Sequence, residues 1–292
     1  MSTANHGEYF IPEPSKWPLV GTIALLITVI GAVHTIHSGS MSLLLPVGLL
    51  LVAYLLFGWF GAVVDESMAG KYNEQVDRSF RIGMLWFIFS EVMFFAAFFG
   101  ALFYIRVFVI DWLDGGGNNF MTHQLLWPGF EGVWPLLTNP DNAAIPGPKQ
   151  SMGPAGLPAL NTAILLLSSV TVTIAHHGLR QDHRKPLITW LAITVVLGAL
   201  FLFFQVQEYV HAYDEEMGLR FDSGIYGSTF FILTGFHGMH VTIGTTMLAV
   251  MLYRAIKGHF TSDNHFAFEA VAWYWHFVDV VWLGLFIFVY WL

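Results

Sequence analysis

The sequence predicts an all-α integral membrane protein with seven spanning helices. Three observations carry that prediction. Of the 292 residues, 55% are hydrophobic and only 11% charged, against about a quarter charged in soluble domains. Apolar runs of about 20 residues, the length needed to cross a bilayer, recur seven times along the chain. Tryptophans such as Trp17, Trp59, Trp112, Trp190 and Trp291 are placed where indole rings can sit at a membrane–water interface.

The spans fall at roughly 17–36, 42–64, 80–108, 159–180, 187–211, 225–255 and 267–292, within one membrane domain covering 1–292. The first and second are joined by His37-Ser38-Gly39-Ser40, a short hairpin turn. The third is long enough to tilt or to project from the bilayer. It leads into 109–158, where Gly115-Gly116-Gly117 and the prolines between Pro128 and Pro158 predict a long extramembrane loop without secondary structure of its own. Asp182-His183-Arg184-Lys185-Pro186 breaks the fourth helix from the fifth.

Residues 1–16 carry acids and prolines where a signal peptide would be basic, which predicts a retained cytoplasmic tail. With that end inside, nine of the 12 Lys and Arg fall in inner segments and only Arg106, Lys149 and Arg220 in outer ones. The bias predicts a cytoplasmic N-terminus and a periplasmic C-terminus. Acids including Asp111, Asp114, Asp141, Asp214, Glu215, Glu216 and Asp222 then gather outside, either as a solvated surface or as an attraction for a basic soluble partner.

The net charge of −8 offers no phosphate-tracking basic stripe, so nucleic acid is not an expected partner. The chain contains no cysteine, which excludes disulfides, thiolate nucleophiles and iron–sulfur ligation. Neither a Ser-His-Asp order nor a phosphate-binding glycine loop is present, so no catalytic residue is assigned and the chain alone does not read as an enzyme.

Glu91 lies about 11 residues into the third span, near the bilayer midplane at a rise of about 1.5 Å per residue. An acid at that depth costs on the order of 2.5–3.5 kcal/mol on insertion scales, so it is expected to face the bundle interior. It is there either to handle protons or to pin helices by a hydrogen bond. Asp279 lies at similar depth on the last helix, three residues from His276 and on the same face.

His237 and His240, with His276 one helix on, are candidates for convergence on a haem or metal. Gly235, Gly238 and Gly244 beside them point instead to close helix packing, so these histidines and Glu208 are read as structural polar contacts and no metal ligand is assigned. His176-His177, at a helix end among basic residues, reads as interfacial. Trp59, Glu66, Arg81, Arg254, Lys257 and His259 lie near the inner face, either as ordinary flanking charge or as a hold on anionic lipid headgroups.

Several segments together are similar to one family. Ser90-Glu91-Val92-Met93-Phe94-Phe95, Leu160-Asn161-Thr162, Ala175-His176-His177, Glu208-Tyr209, Tyr226-Gly227-Ser228-Thr229-Phe230-Phe231, Gly235-Phe236-His237-Gly238-Met239-His240-Val241 and Trp273-Tyr274-Trp275-His276-Phe277-Val278-Asp279 resemble cytochrome c oxidase subunit III, in family order. The resemblance implies two N-terminal and five later helices around a V-shaped, lipid-filled cleft. It implies a non-redox subunit of a proton-pumping oxidase in aerobic respiration, with phospholipid in the cleft and no cofactor on this chain.

Haem and copper then belong to partner subunit I, and subunit II docks cytochrome c as electron donor. The subunit's implied tasks are to stabilise subunit I, to support proton uptake and to bind lipid. Glu91 matches the family's buried glutamate, and Arg81 and Arg254 match basic positions in contact with lipid. The segment 59–66 keeps Trp59 and Glu66 but lacks arginines often found there. The long 109–158 loop resembles bacterial variants, which implies a bacterial inner membrane, and seven helices rather than five favour cytochrome c over quinol. The alternative is a stand-alone proton-coupled transporter using Glu91 and Asp279, although repeated halves and broken helices are not evident. A second is a haem-binding carrier built on His237, His240 and His276.

Overall fold

A computed structural model describes residues 13–292. The tail predicted over 1–16 therefore lies mostly outside the described residues. Among those described, every regular element is helical, and seven helices are long and apolar enough to cross a membrane. The sequence prediction of seven spans is borne out. The helices are α1 Trp17–Ser38, α2 Leu44–Met68, α3 Glu74–Tyr104, α4 Ile110–Leu113, α5 Phe120–Leu126, α6 Leu157–Arg180, α7 Arg184–Tyr213, α8 Ile225–Lys257 and α9 Phe266–Leu285. A π-helical turn, Ile105–Val109, fuses α3 to α4 into one 40-residue span, and a second, Phe286–Trp291, extends α9.

Two elements differ from the sequence reading. The third helix begins at Glu74 rather than near 80, because its first turn is polar and a ruler counting apolar residues misses it. Glu74 and Asp77 in that turn complement the positive end of the helix dipole. The loop expected to lack secondary structure contains α5, whose end is tied back by Trp127 Nε1, which donates to the Leu113 carbonyl at 3.0 Å. Further anchors pin this loop: Asn139 Nδ2 donates to the Ser223 carbonyl at 3.2 Å, and Met152 N donates to the Tyr226 hydroxyl at 3.0 Å. Arg106 donates to the carbonyls of Phe288 and Leu292 nearby.

The chain divides into two compact units, one ending at Ile82 and the other spanning Gly83–Leu292. In the first, α1 and α2 form a tight hairpin. Gly39 ends α1 at φ +66°, a conformation that favours glycine, and its N–H returns to the Thr35 carbonyl at 3.1 Å. The helices approach so closely that a Cβ on Gly48 would meet Thr28 Cα at 2.6 Å. Small residues permit this because lipid supplies no hydrophobic drive between helices, leaving van der Waals contact to hold them. Gly48→Leu is therefore expected to cost about 1–3 kcal/mol or more through overpacking. That cost should appear as a lower thermal midpoint of the solubilised protein; an unchanged midpoint would mean that the hairpin separates freely.

In the second unit α6, α7, α8 and α9 form a ring of successive contacts closed by α6 against α9. The core fills with Trp275, Trp282, Phe201, Phe230, Leu165 and Leu191, all at most 1% exposed. Polar pins join the helix pairs. Trp275 Nε1 and Trp282 Nε1 donate from α9 to Ser168 Oγ and Thr162 Oγ1 of α6, each at 2.9 Å. Thr171 meets Thr194 at 2.8 Å and Tyr209 meets Thr234 at 2.7 Å. Such bonds average about 0.6 kcal/mol in membranes, so they set register more than they supply stability.

Candidate functional site

Glu91 of α3 meets His240 of α8 inside the second unit, with Glu91 Oε2 2.9 Å from His240 Nε2. The two residues are 149 apart in sequence. Phe94, Phe95 and Tyr274 pack their rings about the imidazole. On its other side His240 Nδ1 lies 2.6 Å from the carbonyl of Phe236, one helical turn back. A carbonyl only accepts, so Nδ1 carries the proton and Nε2 faces the acid. One proton then lies between the acid and the imidazole, whichever of the two holds it. Carboxylate with imidazolium, or neutral acid with neutral imidazole, leaves the pair with no net charge, which is how an apolar surround can accommodate it. The side chains are 22% and 7% exposed in this chain.

Asp279 of α9 is the second intramembrane acid. Its Oδ2 is 3.9 Å from His276 Nδ1, and that same nitrogen lies 2.6 Å from Ser169 Oγ of α6. Ser169 was not among the residues singled out from sequence, since its proximity depends on how α6 meets α9. Ser169, His276 and Asp279 are not a nucleophilic triad, because serine and acid both address Nδ1 and the other nitrogen is left to Thr173 at 3.5 Å.

The three histidines considered for a haem do not converge as ligands. His237 Nε2 lies 3.2 Å from the Val278 carbonyl, His240 pairs with Glu91, and His276 pairs with Ser169. His237 is fully buried, with its ring 5.0 Å from that of Trp282. Glu208, 1% exposed, accepts a hydrogen bond from the Tyr290 hydroxyl at 2.6 Å and so ties α7 to the end of α9.

The lipid candidates divide between the two units. In the first, Trp59 is exposed, the Tyr72 hydroxyl donates to Glu66 Oε2 at 2.8 Å, and Arg81 Nε donates to Asp77 at 2.7 Å. Burial first, and then the hydrogen bond to Glu66, push the Tyr72 hydroxyl up from its ordinary range. In the second, Arg254 is 6% exposed with its guanidinium 4.6 Å from the Phe260 ring centroid, a geometry that suits a cation. Lys257 Nζ stands 5.6 Å from the Tyr253 ring, and the His259 N–H closes the helix end on the Arg254 carbonyl at 3.1 Å.

Residues 7–110 and 140–292 match a family model described as cytochrome c oxidase subunit III. The unmatched stretch lies largely in the loop that carries α5. A protein of Sus scrofa named "Cytochrome c oxidase subunit 3" is 42% identical over 284 residues, covering 97% of this chain and 96% of its own length. One from Pongo abelii with the same name is 42% identical over 292 residues, covering 100% and 99%. A bacterial relative from Rickettsia bellii, named "Probable cytochrome c oxidase subunit 3", is 41% identical over 286 residues, covering 97% and 94%.

Proposed function

The chain belongs to the cytochrome c oxidase subunit III family, and from that premise we propose that it is the non-redox subunit of a proton-pumping oxidase, stabilising the catalytic subunit, supporting proton uptake and binding lipid. The observation that carries the reading is the family match over residues 7–110 and 140–292, two stretches within which Glu91 and His240 fall. Haem and copper reside on partner subunit I, subunit II receives cytochrome c, and this chain adds membrane-embedded surface. The outward face of α3 supports that role: Leu85, Trp86 and Phe89 are more than half exposed and need lipid or a partner helix against them.

Within the same proposal, Glu91 and His240 hold the exchangeable proton, with Asp279 as a second buried acid. Phospholipid headgroups lie at Arg81 and Trp59 on one unit and at Arg254 and Lys257 on the other. The two-plus-five helix arrangement around lipid, the bacterial inner membrane and the cytoplasmic N-terminus belong to it as well. The test is affinity isolation in mild detergent with a visible spectrum of the eluate. Haem absorbance with larger co-eluting subunits is expected. A colourless chain eluting alone would overturn the reading in favour of a transporter built on Glu91 and Asp279.

A further inference from the structure

Three polar side chains outside the Glu91 and Asp279 sites lie at one level inside the α6–α9 ring. Asn161, Gln205 and Glu208 are 0%, 4% and 1% exposed. The buried stripe of α6 runs through Asn161, Leu165, Ser168 and Val172, and that of α7 through Phe201, Gln205, Glu208 and Ala212. That spacing keeps side chains on one helix face, so all three polar residues occupy positions that face the core.

The two helices run antiparallel in a fixed register. A Cβ on Gly178 would meet the Leu187 nitrogen at 3.1 Å, and seven residues away on each helix Thr171 meets Thr194 at 2.8 Å. Continued by ten residues, the register sets Asn161 level with Phe204 and Gln205, and Glu208 follows within one turn. The Tyr290 hydroxyl donates to Glu208 Oε1 at 2.6 Å, and Gln205 stands beside both. Rings enclose the space. Trp282 lies 4.8 Å from Phe201 and 5.8 Å from Tyr290, whose other neighbour is Phe230 at 5.5 Å. Phe230 in turn lies 6.3 Å from Tyr226, which packs 5.5 Å from Trp134 of the 109–158 loop.

The polar atoms there have no protein partner to spend their hydrogen bonds on. Among the described residues, Asn161 Nδ2 and Oδ1, Gln205 Nε2 and Oε1, and Glu208 Oε2 are all buried and unbonded. Folded proteins bond roughly 90% or more of such groups, so five on three neighbouring side chains call for a shared ligand. Two of the five are NH2 donors and three are oxygens. A bare cation suits the oxygens only and is repelled by the NH2 groups. Water both donates and accepts, and a buried water makes about three hydrogen bonds to groups of this kind. Roughly two molecules therefore satisfy the set.

We propose that the ring holds an enclosed water site, bound by Asn161 of α6 with Gln205 and Glu208 of α7. The water carries hydrogen bonding from α6 to α7 where their side chains do not bond directly, and Tyr290 extends the connection to the end of α9 through Glu208. Glu208 thereby becomes a hydrated internal acid, separate from the Glu91–His240 pair.

The test is a high-resolution density map of the detergent-isolated complex with all its co-purifying subunits, for the wild type and for Gln205→Leu. The wild type is expected to show separate peaks at about 2.7–3.2 Å from the amide and carboxyl atoms of the three residues, at least one of them beside an NH2 group. Gln205→Leu is expected to lose at least one of those peaks while keeping the Tyr290–Glu208 bond. Should that variant fail to assemble, the wild-type map decides alone. Amides bonded directly to each other or to Glu208 with no peak between them would overturn the site. So would a single peak touching oxygens only, at less than hydrogen-bond distance, which is the signature of a bound cation.

Discussion

Trp275→Ala is expected to destabilise the protein by about 3 kcal/mol, near the low end of the range for burying alanine in place of a large aromatic. The low end applies because a dissociated helix stays in lipid, where the lost side chain would not have faced water. What remains is the cavity and its lost dispersion contacts. Trp275 is wholly buried and touches three helices: it donates to Ser168 on α6, and a Cβ on Gly198 of α7 or Gly244 of α8 would meet its ring at 2.9 or 2.8 Å. The surrounding backbones are already fitted to the indole, so they have little room to collapse into the space. Trp86→Ala is the comparison, since that indole is 66% exposed in this chain, and it should shift stability by no more than about 0.5 kcal/mol. Denaturing-detergent titration of the purified chain measures both. Equal effects would mean that the four-helix ring is not the core.

The number of spans was legible because the bilayer imposes a length on every apolar run, independent of what each helix touches. The start of α3 was not, since Glu74 and Asp77 are helical for reasons of dipole and hydrogen bonding rather than hydropathy. Glu91 stood out by depth alone, whereas its partner could not be read from a sequence in which His240 lies 149 positions away. The same holds for Ser169 at His276. His276 with Asp279 was readable because three residues along a helix bring side chains to one face.

The histidines were the hardest case. Their spacing along α8 allowed convergence on a ligand, and only the packing of α3, α6 and α9 gave each a separate partner. At the other end of α6 the situation reverses. His176 reads from sequence as an interfacial residue, and helix packing sets its Nε2 3.6 Å from Glu269 of α9, a neighbour the sequence did not single out.

Glu91→Gln separates the two roles left to the buried acid. Glutamine keeps the size of the side chain and, with His240 Nδ1 committed to Phe236, its amide can donate to Nε2 as a protonated carboxyl would. Stability should therefore change by no more than about 0.5 kcal/mol, like a substitution that leaves the contact in place. Glu91→Ala leaves the 7%-exposed imidazole facing nothing polar, which is expected to cost about 1–3 kcal/mol. His240→Ala should cost a similar amount, and the double variant less than the sum, because the pair shares one interaction. Activity divides differently. An amide has no proton to pass on, so an oxidase complex carrying Glu91→Gln is expected to lose turnover several-fold sooner than wild type despite its intact fold. Measured over many turnovers in proteoliposomes, undiminished activity and pumping in Glu91→Gln beside a destabilised Glu91→Ala would leave the pair as a pin between α3 and α8 and remove it from proton uptake.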